Sequence, residues 1–165
     1  MPQAQVKINE IITIGSDPEF AIVTPQGRLI EADDIIKGDG TDPDCEFGYD
    51  GHSQTAEVRP KPARSPKEAI KELKQLLERN KKKYPQAYKN NLLAYNDQLS
   101  IGGHIHFGHS ALIDNSKMVN CLVYNLDTLL ALPSMYLENR ILATNRRLRM
   151  DYGHFSDWRP QSWGG

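Results

Sequence analysis

Cysteine is scarce in this chain: Cys45 and Cys121 are the only two in 165 residues. They show neither C-x-x-C spacing nor the density of a secreted disulfide scaffold, so a reducing compartment is expected. Long apolar runs are missing too. The N-terminus has no apolar signal core, and no stretch of about 18 apolar residues occurs, so neither secretion nor membrane insertion is expected. A soluble, cytoplasmic protein with no membrane partner follows. Charge of one sign is lacking as well: the formal net charge is −1. No general field draws in nucleic acid, and any phosphate binding must be local. There is no G-x-x-x-x-G-K-[ST] loop and no G-x-G-x-x-G opening a helix, which excludes P-loop and Rossmann architectures. No internal repeat or low-complexity tract is present. The length fits one domain spanning residues 1–165.

Residues 5–14 alternate loosely and are β-branched, which predicts a strand leading into Gly15-Ser16-Asp17-Pro18-Glu19-Phe20 and on through Ala21-Ile22-Val23. Thr24-Pro25-Gln26-Gly27 is a turn signal, and Arg28-Leu29-Ile30 returns as the second arm of a hairpin. Residues 33–51 read as a solvated acidic loop whose spacing does not fit an EF-hand. Ser65-Pro66-Lys67-Glu68 is a helix start, with a capping serine, proline at the first helical position and glutamate where a capping box needs it. Ala69, Ile70, Leu73, Leu76 and Leu77 then form an apolar stripe, and Lys81–Lys83 favour the helix C-terminus. A second helix is expected over about Ser116–Leu132, with Met118, Leu122, Leu126, Leu129 and Leu130 as a core stripe and Pro133 ending or kinking it. Helix is expected again at Met135-Tyr136-Leu137. From Asn145 to Pro160 the chain is dense in arginine and aromatics with little periodicity, and reads as a structured functional loop.

The most informative stretch is Gly102-Gly103-His104-Ile105-His106-Phe107-Gly108. On a strand, period-two geometry puts both imidazoles on one face, ~6–7 Å apart. The paired glycines allow something to approach that backbone closely. Two upstream segments repeat the spacing: Asp17 and Glu19 as two carboxylates, Glu57 and Arg59 as carboxylate and guanidinium. Taken singly, the histidines could be half-exposed strand residues, Asp-Pro-Glu a turn, and Glu57/Arg59 a surface ion pair of little worth. Their co-occurrence, each beside glycine or proline in an apolar strand context, points to a site.

Asp17, Glu19, Asp50, Glu57, His104 and His106 form a mixed carboxylate and imidazole set. Carboxylates facing one cavity repel each other and are costly to desolvate, and a divalent cation is the economical remedy. Oxygen ligands with one or two imidazoles suit Mg²⁺ or Mn²⁺ better than structural zinc. Arginines 59, 140, 146, 147 and 159 supply forks for phosphate or carboxylate. Acidic metal ligands with several arginines suggest a metal–polyphosphate site. A metal-dependent hydrolase would use the same acids and histidines to activate water, but seldom needs so many anion clamps. A cupin-like oxygenase is disfavoured because no Glu follows three or four residues after His106. A non-catalytic binding or structural domain is the third alternative.

In this order, the blocks Gly15–Phe20, Asp50–Pro60, Gly102–Gly108 and the Arg, Tyr-Gly and Trp-Arg-Pro tail resemble the carboxylate–amine ligases of the glutamine synthetase and glutamate–cysteine ligase superfamily. The phage-associated COOH–NH2 ligase branch is the part it resembles, from about Gly15 to Gly165. The resemblance implies an α+β fold: a curved antiparallel sheet like the glutamine synthetase catalytic domain, helices packed on its convex face, the site on its concave face. It implies ATP and Mg²⁺ (or Mn²⁺) as cofactors, a carboxylate and an amine as substrates, and an acyl phosphate between them. Asp17, Glu19, Asp50, Glu57 and His104 would then be metal ligands. His106, Arg59 and Arg147 would bind the nucleotide, and Arg140, Arg146 and Arg159 would be the catalytic clamps. Two departures stand out. Asp17 is one methylene shorter than the family's glutamate. Family members also carry a further acidic ligand and an arginine on a last strand just after the Gly-rich turn where this sequence stops. The expectation is therefore a sheet lacking its last strand or strands, with activity needing sequence beyond residue 165 or a partner chain, or an inactive copy.

Overall fold

Residues Thr13–Val23 make a ribbon broken at Asp17-Pro18. The structure, a computed structural model, describes residues 11–38, 45–50, 54–99, 101–150 and 153–159, without the side chains of Leu142, Arg146, Arg149 and Met150. Strand β1 (Thr13–Ser16) precedes the break and β2 (Glu19–Val23) follows it. Pro18 has no N–H to give to a ladder, so the two halves take different partners. β2 forms a hairpin with β3 (Leu29–Ile30), and Gly27 at φ +86° supplies the left-handed turn position. β4 (Phe47–Tyr49) pairs with β5 (Thr55–Val58), and β5 with β2. Helix α1 (Pro66–Lys83) and the short α2 (Pro85–Tyr88) follow, then β6 (Asn91–Leu93), which also pairs with β2. β7 (Ile105–Gly108) pairs with β1 in a separate two-stranded sheet. The expected α+β class holds, with strongly curled antiparallel sheet and helices.

Period two sorts β2 and β5 into two faces. Ile22, Ala56 and Val58 join Phe47, Leu76, Ala87 and Ile36 in the main core, closed by α1 through its fully buried Leu76. Ala21 and Val23 project the other way and pack with Leu99 and Ile101. Glu19 lies on this second face. The α1 start is as the sequence implies, with one change: Ser65 Oγ accepts from Glu68 N–H at 3.2 Å, while Glu68 reaches back to the N–H of Arg64 rather than of Ser65.

The chain separates into two compact units. Ile11–Phe107 holds the core just described; the described residues from Gly108 onward form the other. In the second unit the expected long helix is present but divided. It runs as α3 (Ser116–Leu126), a π-helical turn (Asp127–Ala131) and α4 (Leu132–Met135). The wide turn sits where Pro133 cannot donate and would crowd the preceding carbonyls. Asn125, Thr128 and Ser134 add side-chain bonds to the carbonyls of Cys121, Tyr124 and Leu130, at 2.7, 2.8 and 2.7 Å.

Four expectations need correction. Of the helix expected at Met135-Tyr136-Leu137, Met135 ends α4, and Tyr136 and Leu137 lie in the turn after it. The 33–51 segment is not all loop: a 3-10 turn occupies Ala32–Asp34, and β4 forms because Phe47 buries against the core; residues 39–44 lie outside the described set, as do 5–10 of the predicted first strand. The Met118–Leu130 stripe is not buried: Met118, Leu129 and Leu130 are exposed, Leu122 and Leu126 half-buried. The Arg-rich segment opens as a helix, α5 (Arg140–Met150), because Asn139 Oδ1 caps it at Ile141 N–H (3.1 Å) and Leu, Ala and Arg are good helix formers. Among the described residues, no helix is long and apolar enough to cross a membrane.

Candidate active site

The break in the ribbon places the first functional side chain. Backbone bonds bind the 102–104 segment across it: Asp17 N–H donates to His104 O at 3.4 Å and Glu19 N–H to Gly102 O at 3.1 Å. Gly103, at φ +142°, sits so close that a Cβ there would stand 3.0 Å from Pro18 Cα and 3.1 Å from Asp17 O. The close approach implied by the paired glycines is therefore that of the Asp17-Pro18 bend. From this frame the Asp17 carboxylate meets both histidines. Its Oδ2 lies 3.1 Å from His104 Nδ1 and 3.0 Å from His106 Nε2, and its Oδ1 also takes the backbone N–H of His104. The two imidazole centroids are 6.1 Å apart, matching i, i+2 spacing on a strand, while Ile105 between them is exposed.

Electrostatics follow from this geometry. Burial by itself would raise Asp17, but hydrogen bonds from the His104 and His106 rings and the His104 backbone, with the His104 charge, outweigh it and hold the carboxyl well below the usual range. Glu19 differs. It is buried on the second sheet face, with Oε2 accepting from Gly102 N–H at 2.8 Å. Burial pushes it above the ordinary glutamate value, and the charges of Asp50 and Asp17 add to the rise.

Glu57 sits directly opposite Glu19 in the β2–β5 register, so two buried carboxylates are cross-strand neighbours. Opposed pairs of this kind have Cβ atoms ~5 Å apart and like charges destabilise each other. Burial raises Glu57 as well, against the pull of its bonds to Arg59. Arg59 donates through Nε to Oε1 at 3.0 Å, through Nη2 to Oε2, and through Nη1 to the Cys45 carbonyl at 3.0 Å. Asp50 closes β4, half-buried, its N–H donating to Thr55 O at 2.9 Å. Thr55 is also buried, and its hydroxyl has no partner among the described residues.

Asp17, His104 and His106 each offer one ligand atom, all within 4.8 Å of one another, and could hold a metal ion. The i, i+2 spacing that groups His106 with His104 in the sequence brings both onto Asp17, whereas the family resemblance assigns His106 to the nucleotide. The remaining arginines belong to the second unit. Arg140 opens α5 and is exposed; Arg147 donates to Glu138 Oε2 and the Gly153 carbonyl, both at 3.0 Å. Arg159 is exposed, and Arg146 lies in α5 with its side chain undescribed. Arg140, Arg147, Glu138, Thr144, Tyr136 and Met135 help line a cleft of about 400 Å³.

A family model for the phage phiEco32-like COOH.NH2 ligase-type 2 matches residues 14–165, nearly the whole chain. The chain belongs to that family. It is thereby a ligase of the kind that joins a carboxyl group to an amine. Comparison with curated proteins and with solved structures gave no match. The match begins at Ile14, in β1, so the ligase region includes the bend and all of Asp17, Glu19, Glu57, His104 and His106.

Proposed function

We propose that this COOH–NH2 ligase is ATP-dependent and uses Mg²⁺ or Mn²⁺, activating its carboxylate as an acyl phosphate. One observation carries the reading: Asp17 shared by two imidazoles, with Glu19 and Glu57 opposed and buried on β2 and β5. With Asp17 answered by the histidines, Glu19 and Glu57 lie buried opposite each other with Arg59 bonded to one of them, which leaves carboxylate charge for a cation to offset. Oxygen donors with imidazole nitrogens fit Mg²⁺ or Mn²⁺. Bound there, the ions would neutralise the carboxylates and screen the oxygens of the triphosphate.

The chain's own side chains have distinct tasks. Asp17, His104 and His106 would hold a cation, Glu19 and Glu57 would supply further oxygen donors, and Asp50 adds negative field. Guanidinium forks suit phosphate and carboxylate oxygens, the role proposed for Arg140, Arg146, Arg147 and Arg159, with Arg147 here bonded to Glu138 and the Gly153 carbonyl. In the reaction, a substrate carboxylate oxygen bonds to the terminal phosphorus of ATP while the bond to ADP breaks. The amine nitrogen then bonds to the acyl carbon, phosphate leaves, and the amine's surplus proton passes to water. The family assignment favours this reading over a hydrolase or a non-catalytic domain.

Calorimetric titration with a non-hydrolysable ATP analogue, with and without Mn²⁺, tests it. Nucleotide binding should require the cation, and Glu57→Gln should weaken both. Binding that survives chelation would refute the linkage. ADP release in the presence of pooled carboxylates and amines tests turnover.

A further inference from the structure

We infer that Arg59 is a positioning residue that holds Glu57 in place for the cation, rather than a contact for the nucleotide. The inference rests on the cation reading above. Arg59 follows Glu57 by two residues and turns its whole fork onto that carboxylate, with Nε and Nη2 serving the two oxygens. Its third donor, Nη1, is fixed on the Cys45 carbonyl at 3.0 Å, and its backbone N–H on the Glu46 carbonyl at 2.9 Å. The guanidinium is thus anchored to the chain just before β4 and to β5 at once, with its side chain 17% exposed. A surface counter-ion would not be held on three sides.

The space for it is built in. Gly48 is the β4 residue in register with Glu57. A Cβ on Gly48 would stand 3.3 Å from Arg59 Nη1 and 2.3 Å from the Gly38 carbonyl oxygen. The bare backbone at Gly48 lets the guanidinium lie across β4, and the Glu19–Glu57–Gly48 row reads as carboxylate, carboxylate, gap. A side-on fork engages both oxygens of a carboxylate, leaves each a further lone pair, and fixes the rotamer. Glu57 is thereby pre-set to present those lone pairs to an ion, and removing Arg59 would free the carboxylate to rotate. Partners behind a ligating side chain typically matter 10- to 100-fold in metal affinity.

The test is a double-mutant cycle on Mn²⁺ affinity, read by the electron paramagnetic resonance of free Mn²⁺ in the nucleotide-free protein. Arg59→Gln should weaken Mn²⁺ by about tenfold or more. In the Glu57→Gln background the same change should do almost nothing. Arg59→Lys, which keeps the charge without the fork, should fall between, and it serves where Arg59→Gln fails to fold. Nucleotide affinity at saturating Mn²⁺ should be unchanged by either variant. Equal Mn²⁺ losses in both backgrounds, no loss at all, or a loss confined to nucleotide affinity would overturn the positioning role. If wild-type protein binds no Mn²⁺, the cation reading itself fails and this inference falls with it; wild-type binding with zero coupling removes only the role of Arg59.

Discussion

Replacing Gly103 with alanine tests how the site is assembled. Two costs add at this position. The backbone stands at φ +142°, a region essentially reserved for glycine, where another residue costs about 1–3 kcal/mol. The new methyl would also press on Pro18 Cα at 3.0 Å and Asp17 O at 3.1 Å, both backbone atoms that cannot swing aside. Overpacking of this kind costs about 1–3 kcal/mol. A combined loss near 3 kcal/mol corresponds to roughly 6–12 °C in melting temperature for a chain of this size. Gly27→Ala is the control. Gly27 has φ +86° but nothing within 4 Å of its would-be Cβ, so only the backbone term, about 1–2 kcal/mol, applies. Urea denaturation of both variants gives the stabilities, and Mn²⁺ titration of the folded fraction reads the site. Gly103→Ala should lose more stability than Gly27→Ala and should also lose Mn²⁺ affinity, because His104 is displaced from Asp17. Equal destabilisation, with Mn²⁺ affinity intact, would show that the approach of the 102–104 segment to the bend does not set the site.

Leu76→Ala removes the fully buried side chain by which α1 closes the main core, and should cost about 3 kcal/mol in urea denaturation. Thr55→Val removes a buried hydroxyl without a partner, and should stabilise the cation-free protein by about 1 kcal/mol; destabilisation would mean the hydroxyl is satisfied. The pH dependence of Glu19 has a definite sign. Because burial raises its folded pKa, its favourable contribution is fully present below the ordinary value of 4.5 and is lost as pH rises through the raised value. Glu19→Gln should therefore gain on cation-free wild type at neutral pH, with the gain vanishing near pH 4.5, when urea midpoints are compared at the two pH values. Asp17 runs oppositely: its lowered pKa gives a contribution present above 3.8 and lost as pH falls through the lowered value.

Local chemistry made some of this structure legible in the sequence. Ser65, Pro66 and Glu68 specify a helix start through bonds within one turn, and α1 begins there. Thr24–Gly27 carries its own turn and closes the β2–β3 hairpin. The i, i+2 histidines, His104 just before β7 and His106 within it, reach the same carboxylate oxygen as their spacing implies. What stayed hidden depends on distant partners. β4 is three residues in an acidic, glycine-rich surround, and only the β5 ladder and the burial of Phe47 make it a strand. The α5 segment was obscured by its arginines, whose charge suggested function while their helix propensity set the structure. The Glu57–Arg59 pairing was legible from its i, i+2 spacing, but its burial and the Cys45 contact were not, because that contact crosses fourteen residues of chain.

Pro18 shows how one backbone constraint gathers these side chains. An ordinary residue there would let Thr13–Val23 run as one strand, alternating its side chains along a single ladder. Proline withholds its N–H, yet its carbonyl still accepts from Val58 N–H at 3.1 Å, so the bend stays tied to β5. On one side of it Asp17 bonds to the His104 backbone; on the other Glu19 bonds to Gly102 and faces Glu57. The bend thus hands one carboxylate to the histidines and the next to the β5 acid, within three residues of chain. Both ends of the arrangement rely on main-chain bonds, which hold position more firmly than side-chain contacts alone. Backbone geometry therefore sets where Asp17 and Glu19 stand on either side of the bend, while Glu57 opposite is held by the Arg59 fork.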